Sequence, residues 1–260
     1  MNGLTLLPLE LFIFSFMLLF ARLGTMIMIF PVFSDPAISV RIRLLFSIFL
    51  SFALFPLLQK SLPSLPSTTA NMLLLLGTEI IIGILLGLAA RLLYMALSLA
   101  GEVIAFMAGF QSATLFDPSS GANTAAPSIF LTLSASTMFL ALNLHHEVIL
   151  SFIASYGVFP AGNIPSVADA ASGVINVIAQ AFILGTKLAA PVMVAGMLAL
   201  AMFGVFNRLI PQLQVFFVSI PISISLSLLV LSATVSLILS EFTSFLSEHL
   251  FLPAYTDVSF

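Results

Sequence analysis

Six ionisable side chains stand inside otherwise apolar runs of this 260-residue chain: Glu10, Arg22, Glu79, Arg91, Glu102 and Lys187. A charge at the centre of a membrane helix costs about 2.5–3.5 kcal/mol on insertion scales, so each needs a partner or water. Two chemistries follow: a proton or ion relay, or a set of helices enclosed in a protein assembly. An isolated relay needs only one or two acids, and six charges of both signs favour the assembly. His145, His146 and Glu147 invite a metal. Consecutive residues on a helix point in different directions, however, and helical metal pairs sit three or four apart, so none is expected. Ser119 or Ser120 with a histidine could imitate a hydrolase dyad, but no GxSxG elbow precedes them, and Ser-Ser-Gly after Asp117-Pro118 is ordinary turn chemistry. Without a phosphate-binding glycine loop either, neither an enzyme nor a cofactor is expected.

The elements that must position these charges are membrane helices. The chain is 61% hydrophobic and 7% charged, with a mean hydropathy of +1.24, where soluble domains carry about 25% charged residues. Runs longer than about 18 apolar residues exclude the alternating strands of a barrel, so the fold class is all-α and polytopic. Two lysines and five arginines against ten acids offer no basic surface for nucleic acid. The absence of cysteine excludes disulfides and thiolate chemistry. The first basic residue is Arg22, so residues 4–31 read as a retained helix rather than a cleaved signal.

Apolar runs cover Leu4–Phe30, Leu44–Leu58, Ala70–Phe110, Ser128–Leu142, Val148–Phe159, Ala170–Phe206 and Val215–Leu246. Forty helical residues from Ala70 would reach about 60 Å, twice a hydrocarbon core, so that run must kink, protrude or be two helices. The fourth and fifth runs are each short and together make one broken crossing around Asn143–Glu147. The last two form a hairpin through residues 207–214. Arg41, Arg43 and Arg208 on the cytoplasmic side give crossings of down, up, down, broken up, down and up, with both termini outside and Lys60 as the exception.

Gly83, Gly87, Ala90, Tyr94, Ser98, Gly101, Ala105 and Gly109 repeat at helical spacing. Such a stripe lets helices approach closely, either within the chain or against other subunits. Ser232, Ser236, Ser240 and Ser244 line the last helix, and hydrogen bonds between helices are the favoured use. Between Gly101 and Pro127 an irregular Ser/Gly/Asp/Pro stretch still bears Phe110, Leu115 and Phe116. Irregular backbone at membrane depth must be covered by protein or line a water-filled cavity, so this stretch either lines and closes a path or is an exposed turn.

Several ordered patterns resemble the FliR family of flagellar export-gate proteins, related to the SctT/SpaR proteins of injectisomes. They are Arg22-Leu23-Gly24, Pro31-Val32-Phe33, Arg41/Arg43, Glu79 with Gly83, Gly87 and Arg91, and Ala100-Gly101-Glu102. Gly109-Phe110, Phe116-Asp117-Pro118, Pro211 to Phe217 and Pro221 complete the set. The resemblance implies a non-enzymatic subunit of a bacterial type III export gate, joined to FliP-like and FliQ-like subunits. An FlhB-like subunit would sit at the cytoplasmic face, and unfolded flagellar proteins would pass through. It implies an inner-membrane, basal-body location. It also implies a FliP-like region at 1–169, a plug loop at 109–127, a FliQ-like hairpin at 170–250 and a tail at 251–260. The plug would comprise Phe110, Gln111, Leu115, Phe116, Asp117 and Pro118. Gly83, Gly87, Arg91, Gly101, Glu102 and Gly109 would serve packing and assembly, and the embedded charges would face neighbouring subunits. Arg208, Pro211 and Gln212 would lie in a cytoplasmic loop. The competing reading, a small-solute secondary transporter using intramembrane carboxylates, lacks the internal repeat such proteins usually show.

Overall fold

The computed structural model describes residues 9–110, 125–163, 166–210 and 215–250. Its α-helices are α1 (Leu9–Ile29), α2 (Val40–Leu58), α3 (Thr69–Ala108), α4 (Ala126–Ala141), α5 (Leu144–Val158), α6 (Val167–Leu209) and α7 (Val215–Leu250). A single 3-10 turn, Gln59–Ser61, extends α2, and no strand occurs among the described residues. Five of these helices are long and apolar enough to cross a membrane, and α4 with α5 passes the same test as a pair bent by 76°.

Local chemistry explains the boundaries. After α1, Asp35 Oδ1 accepts the Ala37 N–H at 2.7 Å, and Arg43 reaches back to donate to the Asp35 and Ile38 carbonyls. Ser39 caps α2 by accepting the Ile42 N–H. Asn143 breaks α4 from α5 at φ +57°, a left-handed conformation that asparagine tolerates better than most residues. The α6 start is a capping arrangement: Ser166 Oγ accepts the Asp169 N–H at 3.1 Å and donates to the Asp169 carboxylate. The long third run is one continuous 40-residue helix. At about 1.5 Å per residue α3 is longer than a hydrocarbon core, and its continuity removes the two-helix alternative, leaving a kink or protrusion.

The helices group into two compact units. In the first, α1 and α2, α3 up to Leu92, and His145–Val177 pack together. Phe12 meets Phe55 edge-on at 4.8 Å, and Phe33 stacks near Phe46 at 5.4 Å. In the second, α3 from Leu93, α4, and α6 and α7 between Ile178 and Glu248 surround Leu97, Ala100, Ala105, Leu131, Phe139 and Phe242, all buried.

Candidate functional site

The first unit is built around one ion pair. Arg22 on α1 donates to Glu79 on α3 through Nε at 2.6 Å and through a terminal nitrogen at 3.0 Å. Both side chains have zero exposure. The same guanidinium donates to Ser155 Oγ at 3.3 Å and to the Phe159 carbonyl at 3.0 Å. It also lies 3.8 Å from the centre of the Tyr156 ring. Phe159 follows directly on α5, so the cation sits at the electronegative end of that helix. A bidentate pair in which each of the three guanidinium nitrogens finds an acceptor is the geometry in which a buried charge is tolerated.

Small residues carry the same helix contact onward. A Cβ on Gly83 would overlap Thr25 Oγ1 and the Arg22 carbonyl, and one on Gly87 would stand 2.9 Å from the Met26 carbonyl and Ile29. Steps of four on α3 thus meet successive turns of α1, and the two helices run in the same direction.

The second unit fixes the two ends of the central stretch. Glu102 Oε1 accepts the Ala125 N–H at 3.3 Å. A Cβ on Gly101 would overlap the Ser128 backbone, and Ser128 Oγ shares a hydrogen bond of 3.2 Å with Ser98 Oγ. Farther along, the Tyr94 hydroxyl donates to Ser136 Oγ at 3.1 Å, while its ring meets Phe242 edge-on at 5.4 Å. These contacts make α4 antiparallel to α3. Gly109 ends α3 with φ +79°, where a side chain would be strained. A cavity of about 410 Å³ opens beside Phe110, lined by Ala126, Pro127, Phe130, Leu228, Leu231 and Val235 among others.

The expected site residues divide accordingly. Gly83, Gly87 and Gly101 are packing points between helices of this same chain, whereas nothing lies within 4 Å of a Cβ added to Gly109. Of the charges expected to face other subunits, Arg22 and Glu79 instead satisfy each other internally, and Glu102 holds a backbone N–H. Glu10, Arg91 and Lys187 are exposed on their helices, as is Arg208 near the end of α6. Gln111, Leu115, Phe116, Asp117, Pro118, Pro211 and Gln212 lie outside the described residues. Two members of the serine line depart from expectation. Ser232 and Ser240 are exposed and donate to carbonyls three residues back in α7 itself, not to another helix. His145 and His146 bring their rings within 4.3 Å, closer than adjacency on a helix suggests, yet no group of three potential ligands clusters among the described residues.

Comparison with known proteins agrees with the ordered patterns. Residues 13–249 match the family described as bacterial export proteins, family 1. The chain is 36% identical to the flagellar biosynthetic protein FliR of Caulobacter vibrioides over 219 residues, 84% of this chain and 87% of that one. This chain belongs to the FliR family. FliR proteins of Pectobacterium carotovorum and Aquifex aeolicus are each 30% identical to it, over 232 and 229 residues, covering 86% and 88% of their own lengths. FliR membership and the helix lengths make the chain a membrane-embedded, structural component of a flagellar export apparatus rather than an enzyme.

What sequence reasoning missed in this FliR-family chain is the wiring. Arg22 and Glu79 stood out as charges needing partners, but nothing in their spacing joined them. Ser155 and the Phe159 carbonyl gave no signal, one being an ordinary helical serine and the other a backbone atom.

Proposed function

We propose that the chain is the export-gate subunit that carries the plug of a flagellar type III channel. It assembles with FliP-like and FliQ-like subunits in the inner membrane at the flagellar basal body, with an FlhB-like subunit at the cytoplasmic face. Unfolded flagellar proteins are the cargo. Residues 1–169 form the FliP-like part, 170–250 the FliQ-like hairpin, and the loop bearing Arg208, Pro211 and Gln212 faces the cytoplasm.

The observation that carries this reading is the clamped base of the central stretch. Glu102 to Ala125, Gly101 against Ser128 and Ser98 to Ser128 hold the end of α3 to the start of α4. The residues between, with Phe110, Leu115 and Phe116 on a polar background, therefore leave and return at one fixed place. Apolar side chains presented from a fixed base can close a pore by dewetting. The transporter reading fares worse, because Glu79 and Glu102 are both engaged in holding structure.

Deleting residues 110–116, or changing Phe110 and Phe116 together to Gly, is expected to leave assembly intact and make the purified complex conduct ions and small solutes. Bilayer conductance with complex yield measured in parallel tests this. An assembled variant as tight as wild type removes the plug role.

A further inference from the structure

We propose that the cavity beside Phe110 is a seat for two side chains of this same chain, Leu115 and Phe116. The seat lies within one chain, so it stands whether or not the subunits assemble as proposed above.

Phe110 belongs to the wall of the cavity. The Gly109 N–H donates to the Phe106 carbonyl at 3.1 Å, and the Phe110 N–H donates to the Ala105 carbonyl at 3.0 Å. With Gly109 at φ +79°, this is the paired-bond ending that closes many helices, and it fixes Phe110 on the end of α3. Ala126 and Pro127, in the first turn of α4, line the same cavity. Leu228, Leu231 and Val235 join them, at steps of three and four on α7 and so on one face of it. Ser232 is the polar residue in this wall, and its hydroxyl is already given to the Leu229 carbonyl at 2.8 Å.

Three observations say what fills the space. First, its volume is about 410 Å³. An apolar cavity of about 150 Å³ already takes a benzene ring, so an aromatic and an aliphatic side chain fit here together. Left empty, the lining would lose those contacts outright. Second, residues 111–124, outside the described residues, begin directly after one wall residue, Phe110, and rejoin at Ala125, directly before another, Ala126. Third, the large apolar residues between those two points are Leu115 and Phe116, and the rest are polar, Ala, Gly or Pro. At no more than about 3.6 Å per residue, the chain lets Leu115 reach about 18 Å from Phe110 and Phe116 about 32 Å from Ala125, so both can turn back to the wall. The cavity lacks an apolar occupant, and these two side chains lack an apolar face of their own stretch. Seating them meets both needs at once.

The chain has no cysteine, so paired thiols report the seat directly in membranes of cells carrying the full set of export genes. Leu115→Cys combined with Val235→Cys should cross-link on mild oxidation. So should Leu115→Cys with Phe130→Cys, a wall residue on α4 that gives a second, independent pair. Ser98→Cys with Ser128→Cys, whose hydroxyls lie 3.2 Å apart, is the positive control. Leu115→Cys with Leu237→Cys, exposed on α7 and outside the cavity wall, should not close. With Leu115→Cys alone, a thiol reagent should react about tenfold faster or more once Ser232→Phe fills the seat or Phe116→Gly removes its occupant, since burial of an aromatic side chain is worth at least that factor. Cross-linking to Leu237→Cys as fast as to the wall positions overturns the proposal. So does the failure of both wall pairs while the Ser98–Ser128 pair closes. Unchanged labelling with Ser232→Phe, accompanied by loss of a co-purifying phospholipid, overturns it in favour of a lipid tail.

Discussion

The two compact units hold their helices together by different means. In the first, a fully buried Arg22–Glu79 pair ties α1 to α3 and, through Ser155 and the Phe159 carbonyl, to α5. In the second, α3 meets α4 and α6 through glycine approaches and hydroxyl hydrogen bonds, with Glu102 serving only as an acceptor for one N–H. Apolar surroundings provide no hydrophobic drive between helices, so contact comes from close packing or from polar pairing. The first unit concentrates the polar pairing in one place and is correspondingly vulnerable there. The second spreads it over several weak contacts.

The sharpest way to break that contrast is to remove one half of the ion pair. Glu79→Ala leaves Arg22 buried and unpaired, and a loss of about 3–5 kcal/mol is expected. The chain should accumulate poorly or unfold at lower temperature in detergent. Replacing both residues, Arg22→Met with Glu79→Leu, should recover much of that loss, since well-packed apolar pairs often equal buried ion pairs. A double variant as unstable as the single one would show that the pairing itself is not what matters.

A smaller effect is expected from Gly101→Ala in the second unit. Its Cβ would overlap the Ser128 backbone, which cannot swing away like a side chain. Overpacking of this kind costs about 1–3 kcal/mol. Gly77→Ala is the control, because nothing lies within 4 Å of its added Cβ. Denaturation of both variants side by side should separate them, and equal stabilities would contradict the close approach of α3 and α4.

Smallest of the three is Tyr94→Phe. It removes the bond to Ser136, but Ser136 still donates to the Thr132 carbonyl at 2.9 Å. Only the low end of the usual 0.5–1.5 kcal/mol, roughly 0.5, is therefore expected. A thermal shift comparable to that of Glu79→Ala would mean that the second unit also depends on a single polar contact.

The same contrast shows where the fold was legible. The glycine stripe was readable because helix period converts spacing directly into a face. The α4–α5 break was readable because short apolar runs flank Asn143, a residue suited to positive φ. The ion pair was half readable: hydropathy isolates Arg22 and Glu79 as anomalies, but which anomaly meets which depends on helix order in space. At Ser232 and Ser240 the serine line misled, because a helical hydroxyl can satisfy itself on the carbonyl one turn back, and periodicity cannot distinguish that from a bond outward. Lys187 was visible as an embedded charge.

The distances along the chain within the Arg22 cluster set a timetable for biosynthesis. Glu79 follows Arg22 by 57 residues, Ser155 by 133 and Phe159 by 137. Bacterial synthesis at about 5–20 residues per second puts the carboxylate roughly 3–11 s behind the arginine, and the α5 carbonyl roughly 7–27 s behind. Throughout that interval α1 carries a cation with no permanent acceptor. The hydroxyls of α4 and α7 have no such wait, since Thr132, Ser232 and Ser240 donate to their own helices as they form. The Arg22 cation of α1 thus reaches its final setting only after α3 and the residues that close α5 have been made.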